Sequence, residues 1–410
     1  MSADTDAPIE NQASTKGPPA EAPLHGLKVV EFTHMVMGPS IGVILADLGA
    51  EVIKVEPIDG DATRRLKGSG AGYFLMYNRN KKSIRLDLKS PGGLDVAKRL
   101  AGWADVLVEN FRPGALQRLG LGPEALSAEN PRLIYCSAKG FLQGPYQDRT
   151  ALDEVAQMMG GLAYMTGPPG RPLRAGASVI DVTGGMFGVI GILAALEQRH
   201  RTGLGQAVDC SLFETTAFLV GQHIAQKVVT GEAARPMPVR VSAWAIYDVF
   251  DTADGEQVFL GVVSDSQWKS FCRVFEEDDW ANDETLAENA QRVAARDRIM
   301  PHLRERFAAM SKAELLERCE AANLPFAPIA KPEDLVTDPH LLASGGLVGV
   351  TTETGVHADL PALPLRMDSR RSGVRHDVPK SGEHSHEVLA DILRMDVGEI
   401  AALRNAGAVA

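Results

Sequence analysis

The sequence predicts an α/β protein, with a large domain on a doubly wound, mostly parallel sheet joined to a small α+β domain. Three observations predict it. Short β-branched runs alternate with helical stretches from Leu27 to about Lys227, which is the signature of consecutive βαβ units. The composition changes near Ala234, where Arg235-Pro236-Met237-Pro238 reads as a linker and the residues beyond it alternate like an antiparallel hairpin. The 410 residues suffice for two or three domains, each burying its own core.

Each element follows from local pattern. Leu27 to Phe32 reads as a buried strand, Pro39 to Leu48 as a helix stopped by Gly49, and Val52 to Glu56 as the next strand after a short crossover. A polar, glycine-rich excursion from Asp59 to Ser83 leads to a strand at Ile84 to Leu88. Pro91 to Trp103 is a helix with Ser90 as N-cap. Asp105 to Glu109 and Leu133 to Ser137 add two strands. Helical patterns run from Asp153 to Tyr164 and from Gly184 to Arg199, followed by a short strand at Ala207 to Cys210 and another helix. Ala243 to Val263 forms a hairpin turning at Ala253-Asp254-Gly255. Amphipathic stretches near Ser266 to Phe275, Arg292 to Met310 and Lys312 to Ala322 complete the small domain, and a last helix covers His386 to Arg394. The expected organisation is a disordered tail (1–23), the N-terminal part of the large domain (24–228), a linker and small domain (229–330), and a return linker with a C-terminal segment packing on the large domain (331–410).

Charge and composition narrow the function classes. Lys and Arg number 42 against 53 Asp and Glu, a net charge of −11, which argues against a general nucleic-acid binder. Cys136, Cys210, Cys272 and Cys319 are too scattered for a zinc ribbon and read as reduced thiols in a cytoplasm. Residues 1–23 carry four acidic groups and no apolar core, unlike a secretory signal. The most apolar stretch, Gly184 to Leu196, is too short to span a bilayer. The expectations are a cytoplasmic protein with no membrane or nucleic-acid partner.

Gly68-Ser69-Gly70-Ala71-Gly72 lacks the preceding strand of a nucleotide loop and reads as a flexible connection. His384-Ser385-His386 has no accompanying carboxylate or cysteine set, so no metal is expected there. The basic runs Thr63-Arg64-Arg65-Leu66-Lys67 and Asn78-Arg79-Asn80-Lys81-Lys82 flank loops after strands of a doubly wound sheet, where an anionic ligand would bind. Glu109-Asn110-Phe111-Arg112-Pro113-Gly114 leaves a strand end with an amide, an aromatic face and a guanidinium, suited either to a phosphorylated heterocycle or to a plain turn. Asp181, just before the glycine-rich helix, reads as an N-cap or as a nucleophile kept ionised by the helix macrodipole.

Taken together, these residues resemble a known family. Val30-Glu31-Phe32-Thr33-His34 with Gly38-Pro39, Leu48-Gly49-Ala50-Glu51-Val52-Ile53-Lys54-Val55-Glu56, Asn78-Arg79-Asn80-Lys81-Lys82-Ser83-Ile84, the Glu109 to Gly114 run and Gly203-Leu204-Gly205-Gln206 follow one another as in class III CoA-transferases. That is the family of formyl-CoA:oxalate CoA-transferase and the α-methylacyl-CoA racemases. The resemblance is dense from Leu24 to about Phe213. It implies a Rossmann-like large domain and an interlocked, ring-shaped homodimer. It also implies an acyl-CoA:carboxylate CoA-transferase moving CoA from a donor such as succinyl-CoA, acetyl-CoA or formyl-CoA to a small mono- or dicarboxylic acid.

In that chemistry Asp181 attacks the donor thioester to give a mixed anhydride, then an aspartyl-CoA thioester, with coenzyme A as substrate and no metal or redox cofactor. The resemblance further implies CoA contacts at Lys89, Asn110, Phe111, Arg118 and Lys139, a thioester pocket at His34 and Val36, and weaker contributions from Arg64 and Lys67. Backbone N–H groups at Gly184 and Gly185 would stabilise the oxyanion, and Arg64, Arg112 or Arg240 would hold a second carboxylate. The alternative is an acyl-CoA racemase or isomerase of the α-methylacyl-CoA racemase type. Those enzymes place a His before the aspartate that here is Asp153, whereas this chain has Leu152, which cannot carry a proton. Asp153 is accordingly expected to be structural, as the N-cap of its own helix, with a supporting role near the thiol as the alternative.

Overall fold

Alternating side chains in the first strand set the architecture. In β1 (Lys28–Phe32), Val30 and Phe32 enter one apolar cluster and Val29 the other, so the strand is covered on both faces. The same holds for β2 (Glu51–Glu56), β4 (Val106–Glu109) and β5 (Ile134–Lys139). With β3 (Lys81–Arg85) and β6 (Ala207–Ser211) they form a six-stranded sheet of order β3-β2-β1-β4-β5-β6. Every pairing in it is parallel. This is the doubly wound order, in which the chain reverses direction across the sheet between β1 and β4. The computed structural model describes residues 22–240, 242–368 and 371–410; the sequence-read tail up to residue 21 lies outside the described residues.

Helix α1 (Met37–Asp47), a short α2 (Tyr73–Tyr77), α3 (Pro91–Trp103) and α4 (Pro123–Glu129) follow the first strands. The predicted N-cap of α3 is present: the Ser90 hydroxyl accepts from Gly93 N at 3.0 Å. The helical stretch from Asp153 is broken into α5 (Asp153–Met159) and α6 (Leu162–Thr166). Between them Gly161 takes a φ of 86°, a left-handed conformation that glycine adopts without strain.

Helix α7 (Val179–Thr202) starts five residues before the expected Gly184 and spans 24 residues. By length and composition it is apolar enough to cross a membrane. It is nonetheless a core helix: Ile180, Val189, Ile192 and Ala195 are buried in the cluster that holds Ile41 and Leu45 of α1. Its glycines serve this packing. A Cβ on Gly185 would lie 2.1 Å from Ser40 Oγ, and one on Gly188 2.7 Å from Ile41 Cδ1.

The chain forms two compact units, one from the residues up to Pro238 together with Pro339–Ala410, the other Val239–Asp338. The first also contains α8 (Leu212–Leu219) and α9 (Gly221–Thr230). In the second, the predicted hairpin is β7 (Tyr247–Asp251) with β8 (Gln257–Gly261), joined by β9 (Phe326–Pro328) in an antiparallel sheet. Helices Asp265–Val274, Arg296–Ala308 and Lys312–Ala321 pack on it around Trp268, Phe271 and Phe307. After Pro339 a hairpin of β10 (Leu347–Thr351) and β11 (His357–Pro361), not read from the sequence, precedes a C-terminal stretch. Val388, Leu389 and Ile400 of that stretch join the core cluster of β1 and α3.

Candidate active site

The loops after β1 and β4 meet at the switch point, where doubly wound sheets bind ligands. The His34 N–H donates to Asn110 Oδ1 at 3.0 Å, and Asn110 Nδ2 donates to the His34 carbonyl at 2.8 Å. The rings of His34 and Phe111 lie 5.6 Å apart. Met35, next to His34, holds a φ of 61°, a strained conformation for a residue with a long side chain. Its backbone N–H is held by Thr63 Oγ1 at 3.0 Å.

A cavity of about 620 Å³ opens here, within the size range of small-molecule sites. His34, Asn110, Phe111, Arg118 and Lys139 line it, and so does Asp181. Five of the eight residues expected to contact CoA are thus gathered with the expected nucleophile. Arg112 and Arg118 are exposed and carry no ion pair among the described residues. Lys139 Nζ donates to Glu109 and to the Phe111 carbonyl, both at 2.7 Å, which fixes the turn after β4.

Three expected contacts lie elsewhere. Val36 is buried where α1 begins, and its carbonyl accepts from Ser40 N. Lys89 is exposed in the turn before α3. Arg64 pairs with Glu56 at 2.7 Å and with Glu353, and stacks over Phe74 at 3.7 Å. The second basic run is buried and internally neutralised: Arg79 pairs with Asp47 at 2.6 Å and Lys81 with Glu31 at 2.8 Å. Strand β3 therefore begins at Lys81, earlier than the apolar pattern indicated, because an ion pair replaces the apolar side chain. His384 is likewise a clasp, its Nδ1 accepting from Ser83 N at 3.2 Å.

Asp181 is the third residue of α7 and caps nothing. The cap comes from Asp153, at the start of α5, whose Oδ2 accepts from the N–H groups of Ile180 at 2.8 Å and Asp181 at 3.0 Å. Asp153 therefore caps α7, not its own helix. Burial, followed by the facing Asp153 carboxylate, pushes Asp181 up to about 7, while Arg174 acts in the opposite sense. These effects outweigh the macrodipole that sequence reasoning credited with keeping Asp181 ionised. Gly184 and Gly185 lie beyond the first turn, so their N–H groups are committed to the helix ladder and do not serve an oxyanion.

Sequence reasoning missed Tyr73, Gln147, Arg149 and Arg174, all of which line the cavity. No local motif marks them. Gln147 and Arg149 were findable only as members of the loop that follows β5.

The sequence matches CoA-transferase family III over residues 24–385. The chain belongs to that family. The succinate–glutarate CoA-transferase of Agrobacterium fabrum is 35% identical over 395 residues, covering 92% of this chain and 98% of that protein. The succinyl-CoA:glutarate CoA-transferase of Mus musculus is 33% identical, covering 94% and 90%. A CAIB/BAIF family protein from Brucella suis superimposes with a TM-score of 0.80 at 34% identity, covering 90% of this chain and 99% of that chain. This family III CoA-transferase is an enzyme of acyl-CoA:carboxylate CoA transfer. In it Leu152, the residue that departs from the racemase pattern, is 57% exposed and lines the cavity beside Asp153.

Proposed function

We propose that this enzyme moves CoA between succinyl-CoA and a small dicarboxylic acid, with Asp181 as the nucleophile. The observation that carries this reading is Asp181 in the wall of the cavity that Asn110, Phe111, Arg118 and Lys139 also line. A relative from Chloroflexus aurantiacus, 33% identical over 393 residues and covering 93% of this chain and 97% of that protein, is a succinyl-CoA–L-malate CoA-transferase subunit. With the succinate–glutarate relatives it supports four- and five-carbon dicarboxylates as the substrate class.

The steps balance without water or a net proton. An Asp181 oxygen attacks the donor acyl carbon, the C–S bond breaks and CoA thiolate leaves a mixed anhydride. The thiolate then attacks the Asp181 acyl carbon and expels the donor acid as its carboxylate. The acceptor carboxylate attacks the resulting aspartyl-CoA thioester, and the returning thiolate takes the acceptor acyl group and releases Asp181. Each step exchanges one activated acyl bond for another, so the site works by positioning and by excluding water.

The enzyme is a homodimer of interlocked rings in this reading. Exposed apolar side chains on three successive helices support it: Met186 and Ile190 on α7, Phe218 on α8, and Ile224, Val228 and Val229 on α9, as expected of surface that a partner covers. Light scattering should give twice the chain mass at every practical concentration, and a monomer contradicts it.

The test of function offers succinyl-CoA with isotopically labelled C4 to C6 dicarboxylates and follows new thioesters by mass spectrometry. A labelled acyl-CoA that depends on enzyme and is lost in Asp181→Ala, with CoA binding retained, is expected. Turnover by Asp181→Ala within tenfold of the parent overturns the nucleophile assignment.

A further inference from the structure

The Asp153 carboxylate is held on both oxygens. Its Oδ2 takes the two N–H groups at the start of α7, while Oδ1 accepts from Gln157 Nε2 at 2.5 Å and lies 3.4 Å from Arg174 Nη2. Gln157 is completely buried, and its Oε1 accepts from Ala175 N at 2.8 Å, which binds the Arg174 segment to α5. A frame with partners from α5, the 171–177 segment and α7 thus fixes one carboxylate against another. Tyr73 of α2, Glu154 of α5 and His34 line the same cavity as Asp181, and the Asp181 charge reaches Tyr77 of α2. Arg174 bonds the Ala175 and Ala177 carbonyls and divides its charge between Asp153 and Glu154. It therefore does not neutralise Asp181 alone.

Resting on the reading of Asp181 as nucleophile, we propose that Asp153 is a positioning residue that promotes its acylation. The two backbone bonds set the first turn of α7, and hence where the Asp181 side chain points. The Asp153 charge raises the energy of the ionised nucleophile, and this repulsion disappears when Asp181 becomes a neutral anhydride or thioester. A carboxylate that holds its proton more tightly is also the stronger nucleophile toward a thioester.

The test compares the parent enzyme with Asp153→Asn and Asp153→Ala. Asparagine keeps an oxygen to accept from α7 and removes the charge; alanine removes both. The acidic limb of kcat/KM should move to lower pH by about 1 unit in Asp153→Asn, and quenched-flow mass spectrometry should find the Asp181 peptide acylated more slowly. Asp153→Ala should lose more activity than Asp153→Asn. An acidic limb at the parent pH in Asp153→Asn overturns the proposal, whether or not activity falls, since a purely structural role lowers the amount of working enzyme without moving the limb. If the parent enzyme itself yields no acylated Asp181 peptide, the nucleophile reading fails first, so the two failures are told apart.

Discussion

Asn110 and His34 exchange a reciprocal pair of hydrogen bonds, backbone N–H to side-chain oxygen and side-chain N–H to backbone carbonyl, at 3.0 and 2.8 Å. This ties together the loops that leave β1 and β4, adjacent strands on which the chain's direction across the sheet reverses. The mouth of the cavity is thereby stapled at the point where the fold itself leaves a crevice.

Removing that staple should loosen substrate binding more than chemistry. Asn110→Ala deletes two bonds together worth about 2 kcal/mol, so KM for the acyl-CoA should rise by up to about thirtyfold while kcat changes less than about threefold. Steady-state kinetics reads both, and an unchanged KM would show that Thr63 on Met35 and Lys54 on the Thr33 carbonyl hold the His34 loop without Asn110.

Stability should carry the signature of Asp181. An aspartate has an ordinary value near 3.8, and here it is raised to about 7. The cost of the ionised, buried carboxylate is absent below the ordinary value, grows as pH rises and is complete above about 7. Asp181→Asn should therefore melt at a higher temperature than the parent at pH 8, with the difference shrinking toward pH 5. A pH-independent difference in thermal denaturation would count against the assigned shift.

The contact between α1 and α7 has no room for a methyl group at Gly185. A Cβ there meets Ser40 Oγ at 2.1 Å and the Met37 carbonyl at 3.0 Å, and that hydroxyl already donates to the same carbonyl at 2.7 Å. Gly185→Ala should cost about 1–3 kcal/mol by forcing the helices apart. Urea denaturation gives the number directly, and a midpoint equal to that of the parent refutes the close-approach argument.

Beneath α1 a buried ion pair should behave as a unit. Lys81 Nζ bonds Glu31 and the Pro39 carbonyl, and burial lowers the amine to about 8 against the opposing pull of Glu31. Lys81→Met leaves the Glu31 carboxylate only the more distant Lys54 amine, at 3.8 Å, and should cost at most about 3–5 kcal/mol. Neutralising the partner too, in Glu31→Gln with Lys81→Met, should recover part of that loss. If the double variant is no more stable than Lys81→Met, the two side chains are not energetically coupled.

The sequence by itself determined the alternation of strands and helices, the parallel sheet and the hairpin of the inserted unit, and its family resemblance picked out Asp181 and five further residues that line one cavity. Periodicity, turn residues and motif order are local properties, and they survive in one dimension. The tertiary structure decided what depends on partners far along the chain. Asp153 and Asp181 are 28 positions apart, and only the docking of α5 against α7 makes one the cap of the other. Lys81 and Glu31 are 50 positions apart, which is why a basic run read as flanking an anion-binding loop is instead buried and leads into the edge strand β3. The start of α7 moved to Val179 for the same reason: once Asp153 satisfies its first N–H groups, the helix can begin before the glycines. Burial and charge pairing are set by the folded neighbourhood, and the ionisation of Asp181 is set with them.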